Sequence, residues 1–302
     1  MTNPSLDIMD SIPAETLIID APGPKSEVSS RPYLTIRPAR GWVALNLAEL
    51  WHFRDLLGSL ALRDLKLRYK QTALGVLWVI LQPLMAAGVF SFVFGTVAKL
   101  PSGGVPYMVF SFAGLLGWTY FAGVLTKTSG CLVGNANLIS KVFFPRLILP
   151  LATIGSNLVD FTAAAAVMIV LLVAHHIVPS IMVLLLPLWM LLLTAVALGI
   201  GLCTAALAVS YRDIQYILPV FTQILLYASP VAYSINAVPE HLRWVYSLNP
   251  LTPLLEAMRA SLLGSTFPPP SSLLISGALA VCLFIAGLYS FKRMERKFAD
   301  VI

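Results

Sequence analysis

The chain has 302 residues, of which 58% are hydrophobic and only 11% are charged, and its formal net charge is +6. Soluble domains carry about 25% charged residues, so this composition and the mean hydropathy of +0.84 exclude an ordinary soluble protein and indicate several membrane spans. The basic residues lie mostly beside apolar runs, which is typical of cytoplasmic membrane flanks and argues against nucleic-acid binding.

The N-terminal stretch, residues 1–40, is rich in proline, serine and acidic residues and has no lasting apolar period. We predict a disordered cytoplasmic tail here. Because no basic segment followed by an apolar core occurs in it, we expect no cleavable signal peptide. The three cysteines of the chain lie in two apolar runs and one loop, which gives no indication of a disulfide framework.

Residues 47–70 follow with apolar side chains at helical spacing, and their apolar face rotates beyond Leu62. This change of face predicts two helical pieces with a bend near Gly58 and Ser59. A soluble helix packed on a core is one interpretation of the pattern. Because apolar spans follow directly, we favour an amphipathic helix that lies in the headgroup plane of the membrane.

Six apolar runs come next, each near or above the ~20 residues that a helix needs to cross a bilayer. They cover residues 76–97, 106–126, 148–174, 181–209, 215–235 and 271–291. The segment 41–302 is therefore predicted to be one all-α membrane domain with six transmembrane helices. Lys and Arg cluster in the loops that share a side with both termini, so the positive-inside rule predicts an N-in, C-in orientation.

The junction before the first span has an unusual composition for a plain membrane anchor. Gln82 and Pro83 put a polar side chain and a missing backbone donor several residues into an apolar run. Lipid tolerates such a pair only where a neighbouring helix, a cavity or water satisfies the freed groups. We therefore predict that this junction forms the entrance of a transport pathway.

The cytoplasmic loop after the second span, Lys127–Leu147, combines apolar side chains with Lys141 and Arg146. An exposed apolar cluster with a polar rim is typical of a site that binds a partner protein. The alternative is that this loop folds back onto the membrane surface. The apolar cluster consists of Leu138, Ile139, Val142, Phe143 and Phe144.

The external stretch between the fifth and sixth spans runs from Asn236 to Pro270. Within it, Leu251–Leu263 is amphipathic but well short of the ~20 residues that would cross a bilayer. We predict a pair of short helices, either re-entrant or lying on the surface, over the outer mouth of the protein.

Motifs for catalysis and metal binding are missing from the sequence. It contains no Gly-x-x-x-x-Gly-Lys-Ser/Thr, His-Glu-x-x-His or Cys-x-x-Cys pattern, so we expect neither a phosphate-binding loop for ATP nor a metal site. Asp160 is the one acid placed deep in a span, and we interpret it as a structural hydrogen-bonding residue rather than a proton relay. Phe221 and Tyr227 lie mid-span, where aromatic faces and hydroxyls would suit sliding contact with sugar rings.

Four stretches of the chain resemble the permease subunits of ATP-binding-cassette polysaccharide exporters, which include the O-antigen, capsule and teichoic acid export permeases. The first is Leu65-x-x-Arg68-Tyr69-Lys70-x-Thr72-x-Leu74-Gly75-x-Leu77-Trp78-x-x-x-Gln82-Pro83. The others are Asn137-Leu-Ile-x-Lys141-x-x-Phe-Pro-Arg146, Tyr211-Arg-Asp213, and Ser229-Pro-Val-x-Tyr233 with Asn249-Pro250. They occur in the family's order across residues 45–295, so together they are more specific than any single motif.

The resemblance implies a homodimer of this chain that works with two copies of a separate ATP-binding subunit. ATP and Mg would bind to that subunit, and this chain would hold no cofactor. The transported substrate would be a lipid-linked glycan that moves from the inner to the outer leaflet. The junction before the first span would then be a hinge between the amphipathic helix of residues 47–70, the interface helix, and the first helix of the pore.

The resemblance also implies roles for four sets of residues. The loop that docks on the ATP-binding subunit comprises Asn137, Leu138, Ile139, Lys141, Phe144, Pro145 and Arg146. The hinge comprises Arg68, Tyr69, Gln71, Gly75, Trp78, Gln82 and Pro83. The pore lining comprises Phe90, Phe94, Phe221 and Tyr227, and the outer gate comprises Tyr233, Asn249, Pro250 and Arg259.

Residues and resemblance together predict a transmembrane subunit, without a catalytic centre of its own, of an exporter for lipid-linked polysaccharide in the bacterial cytoplasmic membrane. An exporter of the same class that carries a drug, an ion or a lipid is the first alternative. A membrane-embedded glycan-modifying enzyme and a secondary carrier driven by an ion gradient are further alternatives. The lone intramembrane acid and the sparse external acids argue against both.

Overall fold

The computed structural model describes residues 47–70, 77–295 and Phe298, and the regular structure within these residues is helical. The predicted tail 1–40 lies outside them. In chain order the α-helices are α1 (Leu47–His52), α2 (Arg54–Tyr69), α3 (Leu77–Phe90), α4 (Tyr107–Gly134), α5 (Ala136–Lys141), α6 (Ile148–Ala174), α7 (Leu186–Ser210), α8 (Ile214–Ala228), α9 (Arg243–Leu248), α10 (Leu251–Leu263) and α11 (Pro270–Met294). A π-helix, Ser91–Val97, continues α3, and 3₁₀ turns occur at Ile181–Leu185, Ile235–Ala237 and Glu240–Leu242.

Five helical segments among the described residues are long and apolar enough to cross a membrane. They are Leu77–Val97, Tyr107–Gly134, Ile148–Ala174, Ile181–Ser210 and Pro270–Met294. These segments fall on the first, second, third, fourth and sixth predicted runs. The fifth run contains α8, whose 15 residues extend roughly 22 Å and so fall short of a hydrocarbon core of ~30 Å.

The second span is longer than predicted and takes up part of the predicted loop. Helix α4 continues to Gly134, so the first residues of Lys127–Leu147 are helical rather than looped. The small polar side chains there bond across helices: Thr128 Oγ1 lies 3.0 Å from Thr153 Oγ1 of α6, and Ser129 hydrogen-bonds Thr204 of α7. These tertiary contacts stabilise helix where the local sequence favoured a loop.

The predicted interface helix breaks at a different place from the one we expected. A turn at Phe53 separates α1 from α2, whereas α2 continues through Gly58 and Ser59, so the predicted bend there is wrong. Ser59 Oγ donates to the carbonyl of Asp55 at 2.8 Å within the helix. Helix α2 packs on α6 through Leu60, which is buried, and through Ala61.

Helix α4 is the central helix of the described structure, since most of its side chains are buried. It runs antiparallel to α6, because Tyr120 stacks on Phe161 at one end while Thr128 meets Thr153 at the other. It runs parallel to α7, because Tyr120 bonds Thr194 and Ser129 bonds Thr204. We call the end that holds Tyr107 the outer end and the opposite end the inner end, following the predicted orientation.

Helices α7 and α11 approach so closely that their backbones touch. A Cβ atom on Gly287 would lie 2.1 Å from the carbonyl oxygen of Gly199, so only glycine fits at this crossing. The two helices are parallel, because Phe291 near the end of α11 packs in one cluster with Leu202 and Ala206 near the end of α7. The chain between them therefore leaves the inner end after α7 and reaches the outer end before α11.

Candidate functional site

The outer end is built around α10. Every residue from Leu251 to Leu263 is buried except Glu256, which is partly buried. Helix α10 is therefore packed inside the protein on all sides, whereas α9 carries exposed side chains such as Trp244. Helix α10 ends at Gly264, whose φ of +67° is the left-handed conformation that glycine adopts at helix C-termini.

The predicted fifth span stops early, and an irregular segment replaces its last turn. Helix α8 ends at Ala228, because the residue before Pro230 disfavours helix and Pro230 has no backbone donor. The predicted run 215–235 is therefore α-helical only as far as Ala228. The chain from Ser229 to Ser234 has no α-helical hydrogen bonds, so its carbonyls need other donors.

Side chains from two helices supply those donors. Tyr107 of α4 donates its hydroxyl to the carbonyl of Ala232 at 2.7 Å. Arg259 of α10 donates to the carbonyls of Val231 and Tyr233, each at 3.3 Å. Polar side chains of α4 and α10 thus satisfy the carbonyls that no helix satisfies in the irregular segment.

Arg259 and Glu256 form an ion pair inside this arrangement. Their Nη2 and Oε1 atoms lie 3.7 Å apart, and the same carboxylate oxygen accepts from the backbone N–H of Ile235 at 3.1 Å. The guanidinium also lies 4.3 Å from the ring centre of Phe110, a cation–π contact. Both side chains lie outside the candidate spans.

Burial shifts the pKa of both partners. It lowers the pKa of Arg259 to about 10, although Glu256 and Tyr107 act in the opposite direction. Burial raises the pKa of Glu256, although the charge of Arg259 and the hydrogen bond from Ile235 oppose that shift. The charge of each group is therefore the main effect that offsets the free-energy cost of burying the other, because a buried charge without a partner is costly.

The other predicted gate residues join the same assembly. Tyr233 donates its hydroxyl to the carbonyl of Tyr227 at 2.7 Å and lies 2.9 Å from the hydroxyl of Tyr246. Asn249 Nδ2 donates to Ser229 Oγ at 2.9 Å, and its Oδ1 accepts from the N–H of Leu251 at 3.0 Å. We call the set Tyr107, Tyr233, Asn249, Pro250, Glu256 and Arg259 the outer cluster.

The predicted docking loop divides into an exposed tip and a buried base. Lys141, Val142 and Phe143 are exposed, and Asn137 is exposed as well. Phe144 is only 5% exposed and packs with Leu202, Ala206 and Phe291 in one group of buried apolar side chains, which we call the inner hydrophobic cluster. The predicted exposure of Phe144 is therefore wrong. Leu138 and Ile139 are half-buried against the same cluster.

Arg146 connects the base of this loop to the end of α11. Its Nη1 donates to the backbone carbonyl of Glu295, and its guanidinium carbon lies 5.8 Å from the ring centre of Phe298. Phe298 in turn stacks edge-on against Phe291, with ring centres 5.5 Å apart. Arg146 thus points into the protein rather than toward an outside partner.

A polar layer joins α2, α4 and α6 at the inner end. Arg63 of α2 donates to Asp64 and to Oδ1 of Asn135, the residue that follows α4, at 2.9 and 2.8 Å. Lys127 of α4 donates to Ser156 Oγ at 2.9 Å and lies 3.7 Å from Asp160 of α6. A cleft of about 270 Å³ is lined by Arg63, Asp64, Lys127 and Asn135 among other residues.

Asp160 lies near the middle of its span, at the 13th of the 27 residues of α6. It forms an ion pair with Lys127 of the neighbouring span, whose ammonium group also donates to Ser156. The structural role of Asp160 stays a prediction.

The predicted pore-lining residues form two separate groups. Phe90 and Phe94 of the first span stack with ring centres 5.7 Å apart. Phe221 and Tyr227 of α8 are exposed, and Tyr227 accepts a hydrogen bond from Gln223 at 3.3 Å. Among the described residues, the structure shows no ring contact between the two groups.

The predicted hinge is described in part. Trp78 and Gln82 are exposed near the start of α3, and Pro83 is buried within that helix. Arg68 and Tyr69 belong to the last turn of α2. Gln71 and Gly75 lie outside the described residues, so the bend that was predicted there stays a prediction.

Several site residues had no place in the sequence-based predictions. Tyr107, Tyr246 and Asn135 act through partners far away in the chain, which no local pattern reveals. Glu256 was available to sequence reasoning, because it precedes Arg259 by one helical turn and opposite charges at that spacing pair. Among the described residues, no group of three or more His, Cys, Asp or Glu side chains could hold a metal ion.

Comparison with known proteins assigns the family. The family model of the ABC-2 type transporter matches residues 55–263, more than half of the chain. The chain belongs to the ABC-2 type transporter family. It is therefore a multi-pass membrane component of a transporter and not an enzyme of a catalytic family.

Three relatives align with most of this ABC-2 chain. The O-antigen export system permease protein RfbA of Klebsiella pneumoniae is 28% identical over 262 residues, which cover 84% of this chain and 97% of the relative. The protein of the same name from Myxococcus xanthus is 29% identical over 256 residues, covering 84% and 98%. The polysialic acid transport protein KpsM of Escherichia coli is 24% identical over 245 residues, covering 78% and 92%.

Proposed function

We propose that the chain is the transmembrane subunit of an ATP-driven exporter that moves a lipid-linked polysaccharide, such as an O-antigen or capsule glycan, across the bacterial cytoplasmic membrane. The observation that carries this proposal is the similarity to relatives named for O-antigen export and polysialic acid transport, over nearly the full length of those relatives. Family membership over residues 55–263 supports the same class of transporter.

The five candidate spans leave one crossing to be found. In this proposal it consists of α8, in the fifth predicted run, together with the irregular segment that follows it. The parallel arrangement of α7 and α11 supports such a crossing, because the chain between them has to return to the outer end. Ser180 N donates to the carbonyl of Ser261 at 3.2 Å, which places α10 beside the outer start of the fourth span. Helix α10 is then a re-entrant helix, and both termini lie in the cytoplasm.

A homodimer with two copies of a separate ATP-binding subunit completes the exporter. Helix α8 buries only Leu218, so most of its surface, including Phe221 and Tyr227, is available to a second copy and to a glycan path between the copies. The exposed tip Lys141–Phe143 supplies the contact with the ATP-binding subunit. ATP and Mg bind to that subunit, and this chain carries no cofactor.

The outer cluster serves as the gate of this path. Its side chains hold an irregular segment by hydrogen bonds that do not belong to any helix. Such a segment can change its partners without unfolding a helix, which is what a gate for a bulky chain requires. In this proposal the gate comprises Tyr233, Asn249, Pro250 and Arg259, together with Tyr107 and Glu256.

Deletion of the gene in its host tests the proposal. We expect lipid-linked glycan to accumulate on the inner side of the membrane, and expression of the intact chain to restore export. The purified chain should show no ATP hydrolysis by itself and should co-purify with an ATP-binding subunit. A deletion strain that exports its glycan normally, but is altered in drug or lipid efflux, would favour the first alternative.

A further inference from the structure

The side chain of Tyr107 contacts both the first span and the irregular segment, residues 229–234. Its ring lies against Gly95, where an added Cβ would approach Tyr107 Cγ to 2.8 Å, so any larger residue at that position has to displace the ring. Its hydroxyl donates to the carbonyl of Ala232 at 2.7 Å. One side chain therefore connects two parts of the protein that are far apart in the sequence.

The hydroxyl of Tyr107 is one of the donors to three successive carbonyls of the irregular segment. Arg259 donates to the carbonyls of Val231 and Tyr233, and Tyr107 donates to the carbonyl between them. Arg259 belongs to the buried helix α10, whereas Tyr107 is the first residue of α4 and packs against the first span. Of these bonds, the one from Tyr107 therefore depends most directly on the position of the first span.

The outer end of the first span has little packing of its own. Residues Ser91–Val97 form a π-helix, in which hydrogen bonds join residues five apart, and none of these seven described residues is buried. Ala87, in the middle of the same span, is fully buried, and its carbonyl accepts from Ser111 of α4 at 3.3 Å. Because segments with few buried contacts move most easily, the outer end is the least restrained part of this span.

Two of the predicted pore-lining residues lie in the same part of the first span. Phe94 directly precedes Gly95, and its ring stacks on that of Phe90 with ring centres 5.7 Å apart. In the proposed exporter, a glycan that displaces this ring pair also shifts the backbone at Gly95. The ring of Tyr107 lies in the way of that shift, because Gly95 leaves no space between them.

We propose that Tyr107 couples the first span to the outer gate, an inference that rests on the gate in the proposed function. When a glycan displaces the outer end of the first span, Gly95 presses on the ring of Tyr107. The hydroxyl then leaves the carbonyl of Ala232, and the irregular segment is released. The gate thus opens in response to an occupied path and stays closed while the path is empty. Tyr107 acts as a positioning residue, because it holds the backbone of the gate and needs no contact with the glycan.

The reactivity of a cysteine in the gate tests this coupling. Ala232 is buried, so in an Ala232→Cys variant of an otherwise cysteine-free chain the rate of reaction with a maleimide reports how often the irregular segment opens. The sample is the complex with the ATP-binding subunit in lipid nanodiscs. We expect Tyr107→Phe, which removes only the hydroxyl, to raise this rate roughly five-fold, because one net hydrogen bond is lost.

The matched control for this variant is Tyr120→Phe. Tyr120 lies on the same helix, and its hydroxyl bonds Thr194 of α7 at 2.7 Å, outside the gate. Its removal should leave the rate of reaction at position 232 unchanged.

Gly95→Ala tests whether the first span acts through Tyr107. The added methyl group has to displace the ring, so we expect the same rise in rate, whereas Gly88→Ala on the same span meets nothing within 4 Å and should have no effect. In the double variant Gly95→Ala/Tyr107→Phe the rate should rise no further than in either single variant, because both changes act through one hydrogen bond. Two independent structural defects would instead add.

An unchanged rate in Tyr107→Phe, or additive effects in the double variant, would overturn the coupling. Failure of the gate itself gives a different result. The complex with Ala232→Cys alone would then react at the same rate with and without ATP and the lipid-linked glycan extracted from the deletion strain, which rejects the gate and the coupling with it. If that complex does respond while Tyr107→Phe and Gly95→Ala behave like their controls, the gate stands and only the coupling is rejected.

Discussion

Arg259 shows how much of the outer end depends on one side chain. It is buried, and it contacts two carbonyls, one carboxylate and one aromatic ring on three different parts of the chain. The role of Arg259 in an outer gate was predicted from resemblance alone. Its partners Val231 and Phe110 could not be predicted, because they become neighbours of Arg259 only after α4, α8 and α10 have packed.

Removal of this guanidinium should destabilise the protein strongly. In Arg259→Met, Glu256 stays buried without its partner and two carbonyls lose their donor, so we expect a loss of about 3–5 kcal/mol. The measurement is the melting temperature of the purified protein in detergent. Arg243→Met is the control, because its partner Glu240 is exposed, and it should cost no more than about 1 kcal/mol. Equal melting temperatures for the two variants would contradict the central role of Arg259.

Two neighbouring phenylalanines provide a test of the docking loop. Phe144 is buried, so Phe144→Ala should destabilise the protein by about 3–5 kcal/mol. Phe143 is 63% exposed, so Phe143→Ala should leave stability within about 0.5 kcal/mol. The second change should instead reduce export per ATP hydrolysed by the complex, because it removes contact surface from the exposed tip.

Melting temperature and the ratio of export to hydrolysis separate these two roles. A stable Phe144→Ala protein, or a Phe143→Ala complex with normal coupling, would contradict this division of the loop. The sequence alone could not distinguish the two residues. They are adjacent and identical in type, and only the packing on α11 decides which one faces inward.

At the level of the helices, apolar runs were a dependable guide because a bilayer needs long apolar helices. The third run and α6 have the same bounds, residues 148–174. The errors occur where tertiary contacts override local patterns. Helix α4 continues through Ser129 because that side chain finds a partner on α7, whereas α8 stops at Ala228 because of the following Ser229-Pro230.

The contact between α7 and α11 should be sensitive to a single methyl group. In Gly287→Ala, the new Cβ would collide with the carbonyl of Gly199, so we expect a loss of about 1–3 kcal/mol. Gly277→Ala on the same helix meets nothing within 4 Å and should be neutral or stabilising by up to about 1 kcal/mol, since alanine is the better helix former. The melting temperatures of the two variants test this contact. A Gly277→Ala variant that is less stable than Gly287→Ala would contradict the close contact between α7 and α11.

At the level of the whole molecule, the proposed topology is tested by finding the side of the membrane on which each loop lies. Single cysteines placed at Lys99 and Trp244 in a cysteine-free background should react with a membrane-impermeant maleimide in intact cells. Cysteines at Lys141 and Tyr211 should react only after the cells are permeabilised. Reaction of positions 211 and 244 from the same side would show that the chain does not cross the membrane through α8, and would reject the six-span proposal.

The inner hydrophobic cluster has a mechanical consequence. Phe144 of the predicted docking loop packs in this cluster together with Phe291 of α11 and Leu202 of α7, and these two helices are themselves in backbone contact. A force on the exposed loop tip is therefore transmitted to α7 and α11, which form a rigid pair of helices, here called the stiff block. Helices α3 and α8 bury only two side chains and one, respectively, so they are the compliant parts. Force applied at the tip would move the stiff block relative to these two helices, and the widest displacement would occur along the faces that they expose.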